Sequence, residues 1–300
     1  MDVFAAGATE RGLALDARVG GSPFNVAVGL ARLAQPVAFL SSISRDLLGD
    51  RLLQALTLEG VDTSTVQRVD APTTLGLVGL DAQGVASYSF YGQGAADRQL
   101  DPVAIARWPS GVRAIHLGSY ATVVEPVTNT LRVLVERERH RALIAYDPNI
   151  RLNVEPDIDR WRGVLQWMLT RCHLLKVSEE DLAQLMPGVS AEAFAADALA
   201  RGVRLVVVTR GADGAFGMTG AARVSVPTAD VDVIDTVGAG DTFQAALLTW
   251  LAEHDALAPS PALNLDAKSL TAALSFASRA AAVTCSRRGA DLPRRHELPD

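Results

Sequence analysis

The segment Asp235-Thr236-Val237-Gly238-Ala239-Gly240-Asp241-Thr242-Phe243 joins an apolar run to a helix through small residues. Phe243 to Trp250 (Phe-Gln-Ala-Ala-Leu-Leu-Thr-Trp) are good helix formers, which puts Gly238-Ala239-Gly240 at the helix N-terminus. The first N–H groups of a helix lack intrahelical partners, glycine lets a ligand come close to the backbone, and the helix dipole adds partial positive charge. A phosphate or a developing oxyanion is therefore favoured there, with the N–H groups of Val237 to Gly240 as donors. Asp241 beside it has two readings. It is a general base that takes a proton from a hydroxyl attacking the phosphate, or it is the cap of its own helix.

Other nucleotide-binding loops are missing. The chain has two lysines, Lys176 and Lys268, and neither follows a glycine, so no Gly-x-x-x-x-Gly-Lys-Ser/Thr loop exists and P-loop chemistry is excluded. Gly238-x-Gly240-x-x-Phe243 places a large aromatic where the dinucleotide fingerprint needs Gly or Ala, and Gly211-x-x-Gly214-x-x-Gly217 has the wrong spacing, which argues against a Rossmann dehydrogenase. Far upstream, Gly20-Gly21-Ser22-Pro23-Phe24-Asn25-Val26-Ala27 repeats the pattern of small residues leading into a helix and adds an amide. Asn25 both donates and accepts hydrogen bonds, which suits a polyol, whose hydroxyls do both. The same glycines would equally serve as turn residues at an ordinary helix start.

Together the two segments resemble the paired signature motifs of the PfkB-type carbohydrate kinases, the ribokinase-like family. The similarity runs from about Asp2 to about Leu292 and points to the bacterial fructokinase branch. Connecting pieces carry it further: Ser44-Arg45-Asp46 with Gly49, Tyr91-Gly92-Gln93-Gly94-Ala95-Ala96-Asp97-Arg98, Gly118-Ser119 with Glu125-Pro126, Asp147-Pro148-Asn149-x-Arg151, Lys176-x-Ser178-Glu179-Glu180-Asp181, and Thr209-Arg210-Gly211.

The resemblance implies one α/β unit over residues 1–300, with a ribokinase-like, mostly parallel central sheet flanked by helices. A small β-sheet lid, formed by about residues 2–19 and 72–92, is inserted in it, and such lids often dimerise. The implied reaction is ATP-dependent phosphorylation of a sugar hydroxyl, D-fructose to fructose 6-phosphate, with 2-keto-3-deoxygluconate kinase and ribokinase as alternatives. Asp241 is then the base and Gly238, Ala239 and Gly240 the phosphate cradle. Asp2, Gly20, Gly21 and Asn25 fall on the sugar side, with Arg98 and Arg151 as further candidates, either of which could instead serve a structural ion pair. Lys176, Ser178, Thr209, Gly211 and Ser278 fall on the nucleotide side. Mg2+ is expected with ATP, because it neutralises the β- and γ-oxygens. The wider family has Asn-x-x-Glu where this chain has Ser178-Glu179-Glu180-Asp181, leaving Asp181 as the acid toward the metal and Ser178 also suited to capping a helix. The resemblance further implies a K+ site made by Asp235 and the carbonyls of Val237, Thr284, Arg287 and Gly289. Family members carry a strand ending in Gly-Glu ahead of the Asp matched by Asp2, and that strand is expected to be missing here. This sets a catalytically impaired sugar- or nucleotide-binding relic against the active enzyme.

Composition fits these expectations. Hydrophobic residues make up 49% and charged residues 21%, ordinary for a globular chain able to bury a sizeable core. Apolar runs such as Leu205 to Val208 are strand-sized, far below the roughly 18 residues of a membrane span, and no secretion signal opens the chain. Cys172 and Cys285 lack metal-ligand spacing and fit reduced thiols in a cytoplasmic protein. A net charge of −6 offers no basic surface for nucleic acid. The strand-like runs Val37–Leu40, Val112–Leu117, Ala142–Tyr146, Leu174–Val177 and Leu205–Thr209 alternate with helical patterns such as Val127–Glu138 and Ile158–Thr170, as in a parallel sheet covered on both faces. Thr74–Leu80 and Val85–Phe90 around Asp81-Ala82-Gln83-Gly84 predict a hairpin. Residues 255–264 predict an exposed loop, and Arg294-Arg295-His296 a solvated tail.

Overall fold

The computed structural model describes residues 1–80, 86–258, 263 and 265–298. The chain enters through the hairpin β1 (Asp2–Thr9) and β2 (Gly12–Arg18), followed by α1 (Ser22–Arg32), β3 (Ser41–Ser44), α2 (Leu47–Leu58) and β4 (Val66–Val69). The strands β5 (Leu75–Leu80) and β6 (Ala86–Tyr91) come next. A βα series then runs β7 (Ala114–Gly118), α3 (Val127–Glu138), β8 (Leu143–Asp147), α4 (Ile158–Met168), β9 (Leu174–Ser178), α5 (Glu179–Leu185), α6 (Ala191–Ala200) and β10 (Leu205–Thr209). It closes with β11 (Ala215–Thr219), β12 (Arg223–Val226), α7 (Ala239–Glu253) and α8 (Ala267–Cys285).

A six-stranded sheet has the order β12-β11-β10-β9-β8-β7. Its strands β7 to β10 are parallel, while β11 and β12 add an antiparallel margin. Because side chains alternate across a strand, each parallel strand feeds two cores. Ile144, Tyr146, Leu175, Val177, Val206 and Val208 pack with α3 to α6, through residues such as Leu134, Trp161, Leu165, Leu182 and Phe194. Leu143, Ala145, Leu174, Leu205 and Val207 pack on the other face with α7 and α8, through Phe243, Leu247, Leu270 and Leu274. Both faces are covered, as the alternation of runs and helices predicts.

The expected small separate sheet is present, in the order β2-β1-β5-β6, with β1 parallel to β5 so that Asp2 lies opposite Gly76. Its outermost strand is exposed, including Leu13 and Leu15. The turn expected at Asp81-Ala82-Gln83-Gly84 lies outside the described residues. Among the described residues, no helix is long and apolar enough to cross a membrane.

Several local expectations are corrected. Val37–Leu40 is not a strand: Ala38 makes a single bridge to Asp62, and pairing begins at Ser41, where β3 joins β4. The run gains its burial by packing Val37 and Phe39 against α1 and α2 rather than by sheet pairing. The stretch 255–264 is not wholly exposed, since Ala256 and Leu263 are buried against α7 and α8. The C-terminal Arg-Arg-His run is anchored: Arg294 pairs with Glu59, Arg295 with Glu253, and Leu292 and Leu298 are buried on either side.

Candidate active site

A cavity of about 1110 Å3 opens where the C-terminal ends of β7 to β10 meet the N-terminus of α7 and the small sheet. Open α/β sheets bind ligands at that edge because helix N-termini and loop backbones converge there. Asp2, Gly20, Gly21, Asn25, Arg151, Lys176, Ser178, Asp181, Thr209, Gly211, Ser278 and the run Val237 to Asp241 all line this one cavity, although they are scattered over most of the chain.

Gly238 is the N-cap of α7, in a left-handed conformation (φ 80°), and no side chain caps this end. Asp241 is therefore not the cap. It is buried and accepts hydrogen bonds from Ser22 Oγ at 2.7 Å and Asn25 Nδ2 at 2.8 Å, both from the first turn of α1. Ser22 and Asn25 are three residues apart and so share a helix face, an available signal for Ser22 that the sequence reading passed over. Burial pushes the Asp241 carboxyl above the ordinary aspartate range, against those two hydrogen bonds and the Lys176 charge, which pull it down.

The anion donors differ in detail from expectation. The N–H of Val237 is taken by Asp235 Oδ1 at 3.0 Å and that of Ala239 by the carbonyl of Thr236 at 3.2 Å, a tight turn that satisfies them internally. Gly238, Gly240 and Asp241 keep N–H groups with no acceptor among the described residues. These three N–H groups remain open to an anion. A Cβ on Gly240 would stand 3.5 Å from Lys176 Nζ, so the ammonium lies against the same helix end.

On the opposite side of the cavity, Asp2 is pressed against glycine backbone: a Cβ at Gly20 would lie 2.2 Å from its Oδ2 and one at Gly76 3.2 Å from its Oδ1. Burial raises its pKa, opposed by the N-terminal ammonium and by Arg151. Arg151 lines the cavity and donates to the carbonyl of Ile150. Arg98 sits one layer back from the lining residues Tyr120 and Asp97. Its guanidinium lies over the Tyr120 ring and does not line the cavity, whereas its neighbour Asp97 does, bound by the Thr74 hydroxyl.

Ser178 caps α5 by accepting from the Asp181 N–H, so its hydroxyl is already engaged in the helix start. Asp181 is buried, and burial first, then the nearby Asp147 charge, raises its pKa to about 6. Among the described residues no three acidic, histidine or cysteine side chains cluster as a metal site. The single carboxylate that Asp181 brings to the cavity is compatible with Mg2+, which commonly takes one or two carboxylates and completes its shell with water and substrate phosphates. The residues expected to hold K+ do come together: Asp235 Oδ2 accepts from the Gly289 N–H at 2.8 Å, and the Cys285 carbonyl accepts from the N–H of Asp235. A carboxylate with several carbonyls suits a hard monovalent ion. The Thr284 and Gly289 carbonyls accept from Arg287 and Asp291, and both Asp235 oxygens are hydrogen-bonded, which leaves these oxygens further lone pairs for an ion.

The model of the pfkB family carbohydrate kinases matches residues 4–297. The chain belongs to that family. This kinase is 36% identical over 251 residues to a fructokinase of Rhizobium leguminosarum bv. trifolii, covering 84% of this chain and 77% of that protein. A fructokinase from Vibrio cholerae O395, solved with fructose, ADP and calcium, has a TM-score of 0.81 at 27% identity, with 96% of this chain and 91% of that one covered. A double mutant of that enzyme was solved with fructose, ADP and potassium (TM-score 0.80, 26% identity, 96% and 90% covered). The fructokinase of Xylella fastidiosa with bound ATP has a TM-score of 0.83 at 28% identity, covering 99% and 92%. The family is one of phosphotransferases, and the cavity of this kinase holds a buried carboxylate and three open N–H groups.

Proposed function

We propose that this kinase moves the γ-phosphoryl group of ATP onto the 6-hydroxyl of D-fructose. The observation that carries this reading is the Asp241 carboxylate, oriented by Ser22 and Asn25 and adjacent to the free N–H groups of Gly238, Gly240 and Asp241. A sugar hydroxyl seated between Asp2, Asn25 and Arg151 hands its proton to Asp241 as it attacks. The cradle and Lys176 hold charge that builds on the transferring oxygens, where fixed donors act without reorganising. Thr209, Gly211 and Ser278 take the rest of the nucleotide. Mg2+ bound with ATP, held through Asp181, would neutralise the β- and γ-oxygens. The paired backbone loops around Asp235 support K+ as a structural ion behind the cradle.

Fructose is chosen because the relatives and solved structures described above are fructokinases, two of the structures with fructose bound. The small sheet over the cavity is read as a lid that excludes water, a competing acceptor. Its exposed outer leucines, Leu13 and Leu15, support self-association through that face. The free thiols Cys172 and Cys285 support a reducing compartment such as the cytoplasm. The test is coupled ADP release with fructose, ribose and 2-keto-3-deoxygluconate at equal concentration. The highest kcat/KM is expected for fructose. A higher value for either other sugar reassigns the substrate, and no sugar-stimulated release with any of them favours a binding relic.

A further inference from the structure

Period-two alternation puts a row of polar side chains on the α7 face of the sheet, at the C-terminal strand ends. Leu143, Ala145, Leu174 and Leu205 belong to that face's core, so Asp147, Lys176 and Thr209, further along the same strands in the same phase, emerge beneath α7. Tyr146 lies opposite Leu175 in the parallel ladder, which makes Asp147 and Lys176 lateral neighbours. Their side chains are 4% exposed each, and Lys176 Nζ donates to Asp147 Oδ2 at 2.7 Å.

Two features set this pair apart from an ordinary buried bridge. An ammonium has three N–H donors, yet Lys176 makes one hydrogen bond among the described residues, lines the cavity and lies beside Gly240. Two donors are therefore open toward the cradle. Asp147 Oδ1 is also buried without a partner, as is Nε2 of the neighbouring His116, which burial keeps neutral by lowering its pKa to about 4. A buried charge without a counter-charge is unfavourable, and Asp147 is the carboxylate hydrogen-bonded to this ammonium.

We infer that Asp147 is a positioning residue for phosphoryl transfer. Its carboxylate holds the Lys176 ammonium aimed at the phosphate cradle, so that the ammonium stabilises charge on the transferring group without itself closing on the sugar. This rests on the reading of the cavity as a kinase site. It makes a specific demand: the effect of Asp147 on catalysis must pass through Lys176.

The experiment is a double-mutant cycle on the full chain, measuring kcat, the KM values for sugar and ATP, and Tm. Lys176→Met keeps volume and removes the charge; Asp147→Asn keeps shape and removes the counter-charge. Lys176→Met is expected to lower kcat about 10²-fold, the scale of losing one fixed electrostatic donor, with sugar KM within about twofold. Asp147→Asn should lower kcat by a similar factor. The double variant should be no slower than the slower single one, because neighbours acting through one group are not additive. Multiplying losses in the double variant, or a Lys176→Met enzyme with full kcat, would overturn the inference. So would an equal loss in all parameters that follows Tm alone. If Asp147→Asn does not fold, Asp147→Glu, which keeps the counter-charge but displaces it, takes its place in the cycle, and a loss that multiplies with that of Lys176→Met would overturn the inference. Wild-type protein without sugar-stimulated ADP release would instead remove the kinase reading beneath it.

Discussion

At the scale of single residues, Asp241 is the proposed base. Asp241→Asn keeps size and both hydrogen-bonding neighbours but removes the base, so kcat should fall by about 10²–10⁴-fold, while ATP binding and Tm change little. Near-normal turnover would assign the proton to another acceptor. The pH dependence follows from burial. The active form is the carboxylate, and its pKa is raised, so kcat is lost as pH falls through a value above the roughly 3.9 of an ordinary aspartate. A kcat profile with its acid limb at or below that value would contradict the environment described. The pairing of Asp241 with Ser22 and Asn25 was half legible. Asn25 and Asp241 are visible as members of two motifs, but that the hydroxyl of Ser22 completes the clamp depends on the angle at which α1 meets α7.

At the scale of elements, the start of α7 is a backbone device. Gly238 has φ 80°, and a Cβ there would be 2.6 Å from that of Ala290. Gly60, with φ 81° and nothing within 4 Å, has the same backbone demand without the contact. Gly60→Ala should cost about 1–2 kcal/mol, the penalty of a left-handed alanine, whereas Gly238→Ala should cost more and also lower kcat by displacing the cradle. Equal losses of Tm in the two variants would show that the contact with Ala290 relaxes freely. The strands of the small sheet make a separate prediction. Leu13→Glu with Leu15→Glu should shift light-scattering mass to the monomer while leaving the fold intact. An unchanged mass would place any self-association elsewhere. The helix Val127–Glu138 was read to the residue, because its apolar spacing is strong, and Leu205–Thr209 likewise as a strand. Val37–Leu40 misled because an apolar run of that length serves a packed loop as well as a strand, and only its partners distinguish them.

At the scale of the whole molecule, one cavity joins the small sheet to the larger one, so ligands that bridge them should stabilise the entire fold. Fructose at 100 times its Kd should add about 2.7 kcal/mol to unfolding stability, and ribose at the same concentration less. A calorimetric Tm that ignores fructose would argue that the sugar side of the cavity is not assembled in the free protein. The sequence by itself determined the α/β class, the pairing of β5 with β6 and the two motif loops, because strand period, helix-end chemistry and glycine are local properties of the chain, whereas the small sheet was legible only through the family resemblance. Only the tertiary structure decided which charges meet. It set Ser22 and Asn25 on Asp241 across 219 and 216 residues, joined Lys176 to Asp147, and laid Arg98 over Tyr120. Side-chain partners of that kind follow from how strands are ordered and helices are packed, and no local spacing encodes them.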